Sequence, residues 1–587
     1  MVKQLMKSIR EFKLATILTP TFVIGEVIIE ALIPFLISLL INDIKAGCDL
    51  SVILGYAWKL VALSLLSLLC GYLAGIYCAK ASTGFARNLR YDIFTNIQKF
   101  SFSNIDKFSS ASLVTRLTTD IQNVQMAFMM IIRTAVRAPL NLIFSFTMAY
   151  IMGGTMAVIF LIIIPFLGIG LYLIVRSVMP IFKKGFPLFD KITRIVEENV
   201  KGIRVVKSFV REDYEINKFD ETSNDIRKMF TRAEQIIALN NPLMQISIYA
   251  VMLFVLMFGS EMIIKTNATS LDVGQLSTLM TYGFQIMVSL MMLSMVFVMI
   301  TFSEESSKRI VEVLNEKSSI TSKANAITEV KDGSIDFDHV RFKYSPTAER
   351  PVLENIDVHI KSGETIGIIG GTGSAKSSFV QLIPRLYDVT EGIVRVGKED
   401  VRDYDLVTLR DSVAMVLQKN VLFSGTIADN IRWGNKDATL EEVKHVCHLA
   451  CADEFIEQLP DGYDTWIEQG GTNVSGGQKQ RLCIARALLK QPKILIMDDS
   501  TSAVDTKTDA IIRKAMKEYI PETTKIIIAQ RTSSVEDADR IIVLDGGQID
   551  AIGTSEELLK TNQIYREVYL SQNKQGTEEI VEEGGVR

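Results

Sequence analysis

The sequence predicts a multidomain protein. An all-α polytopic membrane domain of six transmembrane helices, extending past the bilayer, precedes an α/β domain built around a phosphate-binding loop. Three observations predict it. Six apolar stretches of spanning length all lie before about residue 304. A glycine-rich run, GGTGSAKSS (370–378), follows a short apolar strand and opens a helix. A second apolar strand, ILIMDD (494–499), ends in two carboxylates. At 587 residues the chain is also too long for one compact core.

The membrane half comes first. Hydrophobic residues make up 48% of the chain and mean hydropathy is +0.24, with the excess concentrated before residue 304. A spanning helix needs about 20 mostly apolar residues. Segments 16–41, 52–78, 128–151, 155–178, 240–264 and 274–302 qualify. Short connections (NDIKAGCDLS, GGTM, KTNATSL) alternate with long basic stretches, 79–127 and 179–239, which carry Arg87, Arg90, Lys99, Lys201, Arg204 and Lys207. The positive-inside rule then puts the long loops, the N-terminus and the C-terminal half in the cytoplasm, beneath the cell (plasma) membrane. The N-terminus, MVKQLMKSIREFKLA, is basic and amphipathic without a small-residue cleavage site, which argues against a cleaved signal peptide. The six cysteines have no framework spacing and read as reduced or membrane-buried thiols. A net charge of −4 gives no sign of nucleic-acid binding.

Four charges fall at membrane depth: Glu26 and Glu30 in the first span, Arg133 and Arg137 in the third. Each pair is spaced i, i+4 on one helix face. Such charges face a cavity or one another. Two readings stand, mutual Glu–Arg pairing or a polar patch that touches cationic cargo. In the sixth span Met280, Phe284, Met287, Met291 and Met295 share a face, which suits either packing or loose cargo contact.

In the second half, SIDFDHVRFKYS (334–345) alternates as a strand does, and IGIIG (366–370) runs into the phosphate loop. Backbone N–H groups of Gly371, Thr372, Gly373, Ser374 and Ala375, with a helix N-terminus, would cradle phosphate oxygens. Lys376 would sit on the β/γ-phosphates and Ser377 on Mg²⁺, with Ser378 beside them. The last glycine of the pattern is Ala375 here, whose methyl is expected to crowd the phosphates and slow nucleotide exchange.

VSGGQ (474–478), ILIMDD, SAVD (502–505) and Gln418 follow at family-specific spacing. With them the chain resembles the ATP-binding-cassette (ABC) transporters, in particular half-size exporters with six spans and one cassette. NIDKFSSASLVTRLTTDIQNV (104–124) and EENVKGIRVVKSFVREDYEINKF (197–219) resemble the loops with coupling helices, near 104–118 and 208–220. The resemblance implies a transmembrane domain over 1–315, a linker over 316–333, an α/β cassette with a helical subdomain over 334–575 and a disordered tail over 576–587. It implies ATP and Mg²⁺ as ligands. Tyr344 would stack on adenine, and Gln418, Ser377 and Asp498 would hold Mg²⁺ through ATP. Ser475, Gly476, Gly477 and Gln478 would form the signature acting in trans, and Asp505 would lie at the dimer seam.

Two positions break the family pattern. Asp499 replaces the catalytic glutamate, and the shorter side chain withdraws the carboxylate by up to about 1.5 Å. A misplacement of about 1 Å costs on the order of 100-fold. Gln530, in IIIAQRTSS, replaces the switch histidine and cannot carry imidazolium charge. Ala375, Asp499 and Gln530 all belong to the phosphate face, while the signature is intact. The expectation is a heterodimeric ATP-driven exporter of amphipathic drug-, lipid- or peptide-like cargo. This chain would form the degenerate site and lend its signature to a non-identical half-transporter that carries the catalytic Glu and His. Two alternatives are a homodimer in which Asp499 suffices and a membrane ATPase that signals without transporting. His445, Cys447, His448 and Cys451 lie within seven residues of one helix and cannot all converge on a metal.

Overall fold

The computed structural model describes residues 1–266, 271–345, 347–500 and 503–572. The predicted tail, 576–587, lies outside the described residues, as does Ser502. The chain divides into two compact units, Met1–Lys99 with Ser109–Glu316, and Phe100–Phe108 with Lys317–Arg587.

The first unit is all helix. Among the described residues, five helical runs are long and apolar enough to cross a membrane: Val2–Lys45, Leu50–Ile97, Ser110–Lys201, Glu212–Lys265 and Val273–Asn315. The run Ser110–Lys201 holds two of the six predicted spans. It breaks at Gly154, whose φ of +50° ends one helix and begins a short 3₁₀ turn. The main helices are α1 (Lys13–Lys45), α2 (Leu50–Ile97), α4 (Ile121–Ile132), α5 (Thr134–Gly153), α6 (Val158–Lys201), α7 (Glu212–Ala238), α8 (Asn240–Lys265) and α9 (Val273–Asn315). The label α3 is kept for Phe102–Phe108, a short helix of the first long loop that belongs to the second unit.

Helices α1, α5 and α9 pack together, while α6, α7 and α8 pack on one another, and α6 and α8 also pack on α9. Close approach depends on glycine at α9, where a Cβ on Gly274 would lie 2.3 Å from the Ser38 carbonyl. Pro34 interrupts the hydrogen-bond ladder of α1, and α9 supplies donors beside it. Tyr282 Oη donates to the Ala31 carbonyl at 2.6 Å and Thr278 Oγ1 to the Pro34 carbonyl at 3.1 Å.

Near its ends the unit is clamped by a polar knot. Asp120 is fully buried beside a π-helical turn, Arg116–Asp120. It accepts from Ser306 Oγ at 2.8 Å and Arg309 Nε at 2.9 Å, while Arg116 donates to the Arg309 carbonyl at 2.8 Å and pairs with Glu312 at 2.9 Å. This ties the chain before α4 to the last turns of α9.

The second unit is an α/β domain whose described residues form two large sheets and a small two-stranded one, Gly425–Thr426 with Trp466–Ile467. Strands β1 (Ile335–Phe342), β2 (Leu353–Ile360), β4 (Glu391–Val396) and β5 (Glu399–Asp400) form an antiparallel sheet in the order β2-β1-β4-β5. The main sheet runs β10 (Gln548–Gly553), β9 (Arg540–Asp545), β3 (Thr365–Gly370), β8 (Thr524–Ile528), β7 (Ile494–Asp498), β6 (Val413–Val416). All its pairings are parallel except β9 with β10. Strands β7 and β8 are buried at every position, as parallel strands covered on both faces must be.

The knot generates a stability prediction. Asp120→Ala removes the shared acceptor and strands Arg309. Because the Arg309 side chain is 43% exposed and can rehydrate, the loss should be roughly 2 kcal/mol, below the about 3–5 kcal/mol of a fully buried pair. Thermal unfolding of the purified chain in lipid checks it, and an unchanged midpoint would contradict a clamping role.

Candidate nucleotide site

Parallel register decides where the site lies. Ile528 of β8 pairs with Ile368 of β3 on one side and Asp498 of β7 on the other. The loop after β3, the Asp498–Asp499 pair and Gln530 therefore emerge together at the carboxyl edge of the sheet, where open α/β sheets bind ligands.

The loop after β3 leads into α10 (Lys376–Gln381). Gly371 and Gly373 face open space, and Gly373 has a φ of +86°. Ala375 is also left-handed, with a φ of +69°, and caps α10. Its methyl packs against the apolar core of the domain. The cost of replacing glycine therefore falls on the backbone, where a side chain at positive φ is strained. Lys376 Nζ donates to the carbonyls of Gly370 and Gly371, each at 2.8 Å, and to Ser374 Oγ at 3.3 Å. Burial lowers the Lys376 pKa, opposed by Asp498 and Asp499. Burial raises the Asp498 pKa, opposed by a hydrogen bond from Ser377. This donor set fits a phosphate cradle with a divalent ion. The backbone turns carry no obstructing Cβ at Gly371 and Gly373, a lysine stands beside them, and a hydroxyl–carboxylate pair lies adjacent.

Asp499 follows β7 with a φ of +49°, and its N–H donates to the Ile528 carbonyl at 2.9 Å. Its Oδ2 accepts from Gln530 Nε2 at 2.7 Å and from Gln418 Nε2 at 3.4 Å. The two amides, to which the family resemblance gives different roles, therefore converge on a single carboxylate oxygen.

Ser475 caps α11 (Gly476–Leu489) in a reciprocal capping box. The Gln478 N–H donates to Ser475 Oγ at 3.3 Å, and the Ser475 N–H donates to Gln478 Oε1 at 2.8 Å. A Cβ on Gly477 would lie 2.8 Å from the Ala503 carbonyl, so glycine is needed there. Gln480, which the motif reading passed over, accepts from the Ala503 N–H at 3.0 Å. Asp505 caps α12 (Thr506–Tyr519) and accepts from the Thr508 N–H at 2.9 Å, and that bond holds its carboxyl below the usual range.

Tyr344 is 44% exposed, and its hydroxyl shares a hydrogen bond with Ser378 Oγ at 2.8 Å. In the helical segment His448 pairs with Asp453 at 2.6 Å. Burial pushes the Cys447 thiol up to about 12.

The membrane unit has its own cavity, 390 Å³, lined by Glu30, Arg137, Asn141, Gln285, Phe284 and Met292 among others. Arg137 pairs with Glu26 at 3.1 Å and Glu30 at 2.7 Å. Glu26 is 7% exposed, and a Cβ on Gly71 would sit 3.0 Å from its Oε1, so Gly71 makes room for it. Arg133 stands at the break between α4 and α5, and its charge reaches Glu26 without an ion pair among the described residues. The methionine stripe divides between packing and the cavity. Met287 is fully buried in the helix core and Met291 is 36% exposed, and neither lines this cavity. Phe284 of the stripe does line it, together with Thr281, Gln285, Val288 and Met292, while the packing of α9 on α6 and α8 turns Met287 inward.

The family models for the ABC transporter transmembrane region and the ABC transporter match residues 16–290 and 353–502. The uncharacterized ABC transporter ATP-binding protein YfiB of Bacillus subtilis is 34% identical over 554 residues, 94% of this chain and 96% of its own. The chain belongs to the ABC transporter family. The ATP-dependent lipid A-core flippase of Desulfotalea psychrophila is 31% identical over 504 residues, 85% of this chain and 87% of its own. A solved bacterial Atm1-family ABC exporter with ATP bound aligns over 97% of this chain and 99% of that chain, with a TM-score of 0.82 at 24% identity, a likeness of fold. The chain is thus an ABC transporter in which a membrane domain is fused to an ATPase cassette.

The strained Ala375 yields a prediction. Ala375→Gly should relieve on the order of 1 kcal/mol of backbone strain and raise the unfolding midpoint of the purified chain. A fall in the midpoint would show that the methyl's packing outweighs its φ.

Proposed function

We propose that this chain is one subunit of a heterodimeric ATP-driven exporter, with a weak nucleotide site on its own phosphate face. Its intact signature, Ser475 to Gln478, completes the strong site on a non-identical partner that carries Glu and His at the matching positions. The observation that carries the reading is the Asp499 carboxylate. It is one methylene short, and its Oδ2 is already taken by Gln530 and Gln418. A general base needs a lone pair aimed at the attacking water, and here two amide donors already occupy that oxygen.

In this reading Lys376 and the N–H groups of residues 371–377 bind and orient the β- and γ-phosphates of ATP. Ser377, Asp498 and Gln418 hold Mg²⁺, which when bound neutralises phosphate charge. On the other face of the chain, Ser475 and Gly477 present the N-terminus of a 14-residue helix to the γ-phosphate held by the partner. ATP would close the two cassettes, the loop helices would turn the membrane cavity outward, and hydrolysis on the partner would reset it. The long basic loops support a plasma-membrane location with the N-terminus and cassette in the cytoplasm. The cargo is amphipathic. The cavity supports this by combining polar Glu30, Arg137, Asn141 and Gln285 with apolar Phe284 and Met292 in one lining.

ATPase activity of the chain alone and with its partner tests the assignment, and full activity from the lone chain refutes it. In the pair, Ser475→Ala should lower turnover on the order of 100-fold, and Asp499→Ala should lower it far less. Equal losses contradict the asymmetry. Asp499→Glu alone should restore less hydrolysis in this pocket than Asp499→Glu with Gln530→His, because the remaining amide still occupies the carboxylate. Equal restoration would mean that reach alone limits the site.

A further inference from the structure

Aromatic rings join the base end of the nucleotide site to α3, the short loop helix that belongs to the same compact unit. Tyr344 stands edge-on to Tyr387, with ring centroids 5.0 Å apart and planes at 88°. Both rings also meet Phe342, at 4.8 and 5.7 Å, and Phe342 is buried. The Tyr344 hydroxyl is held at α10 by Ser378 Oγ at 2.8 Å and by Gln381 Oε1 at 3.2 Å. From the far side, Tyr387 Oη donates to Asp106 Oδ2 at 2.8 Å, and its ring lies 6.0 Å from that of Phe102. Both partners are on α3, which Asn104 ties to the Lys317 carbonyl at 3.2 Å and the Ser319 N–H at 3.2 Å. Burial and the Asp106 carboxylate both raise the Tyr387 pKa, so the phenol remains a donor.

We propose that Tyr387 is a positioning residue that reports an aromatic base on Tyr344 to α3. The inference rests on the reading of Tyr344 as the base platform. A base stacked on the exposed face of Tyr344 narrows the ring's motion. Edge-to-face contact depends on angle, so the Tyr387 ring is narrowed with it. Its hydroxyl then holds the Asp106 carboxylate in a charge-assisted bond. Phosphates alone would fill the cradle without engaging this route, so α3 senses the base end of the nucleotide separately from its phosphates.

Hydrogen exchange of the α3 amides in the full chain in lipid nanodiscs tests this, with ATP, with tripolyphosphate and without ligand. ATP should slow exchange about fivefold, the factor of one net hydrogen bond, and tripolyphosphate should leave it unchanged. Tyr387→Phe should abolish the ATP effect while leaving the ATP dissociation constant unchanged. Asp106→Asn, which keeps an acceptor oxygen, should retain the effect, and Asp106→Ala should lose it. Equal slowing by tripolyphosphate, no slowing by ATP, or full slowing in Tyr387→Phe overturns the relay. Tyr344→Ala separates the two readings: unchanged ATP affinity removes the base platform itself, whereas lost affinity with α3 slowing intact in Tyr387→Phe sinks the relay alone.

Discussion

Parallel pairing of β3, β8 and β7 is the constraint on which the nucleotide site depends. Residues 370, 499 and 530 are far apart in sequence, and only shared strand register brings them to one edge. The register is strict because β7 and β8 are buried on both faces, where a slip would expose apolar residues and orphan ladder hydrogen bonds. Asp499 then bonds the Ile528 carbonyl through its backbone and the Gln530 amide through its side chain. Both bonds follow from β7 lying beside β8. The same register that assembles the site also brings Gln530 onto the carboxylate.

The membrane unit answers a different physical problem, charge in a low-dielectric medium. Arg137 serves two carboxylates, so one guanidinium offsets much of the cost of both. The second Glu26 oxygen is buried with no hydrogen-bond partner among the described residues, which leaves the cluster short of donors next to the cavity that Glu30 and Arg137 line. Both readings of the membrane charges therefore meet in one place: Glu30 and Arg137 pair with each other and also face the cavity.

Much of this was legible because it is periodic or local. Apolar stretches of spanning length, the phosphate loop and the signature at Ser475 to Gln478 all have their cause within short stretches of sequence. Less legible were contacts between distant segments. Which residues of α9 meet the cavity is one such case, because α9 packs on several neighbours and they set its rotation. Ala375 was read as a methyl facing phosphate, yet the left-handed turn directs that methyl to the core. Gln480 and Tyr387 gave no local signal, since their partners Ala503 and Asp106 lie 23 and 281 residues away.

The sequence by itself determined the two-part architecture, the ATP-binding chemistry and the three departures at Ala375, Asp499 and Gln530, because residue identity and short-range spacing suffice for these. Only the tertiary structure decided that Gln418 and Gln530 share one Asp499 oxygen, that Arg137 bridges both glutamates, and which face of α9 meets the cavity. These are distances between chain segments, set by strand register and helix packing, and no pattern within a single segment encodes them.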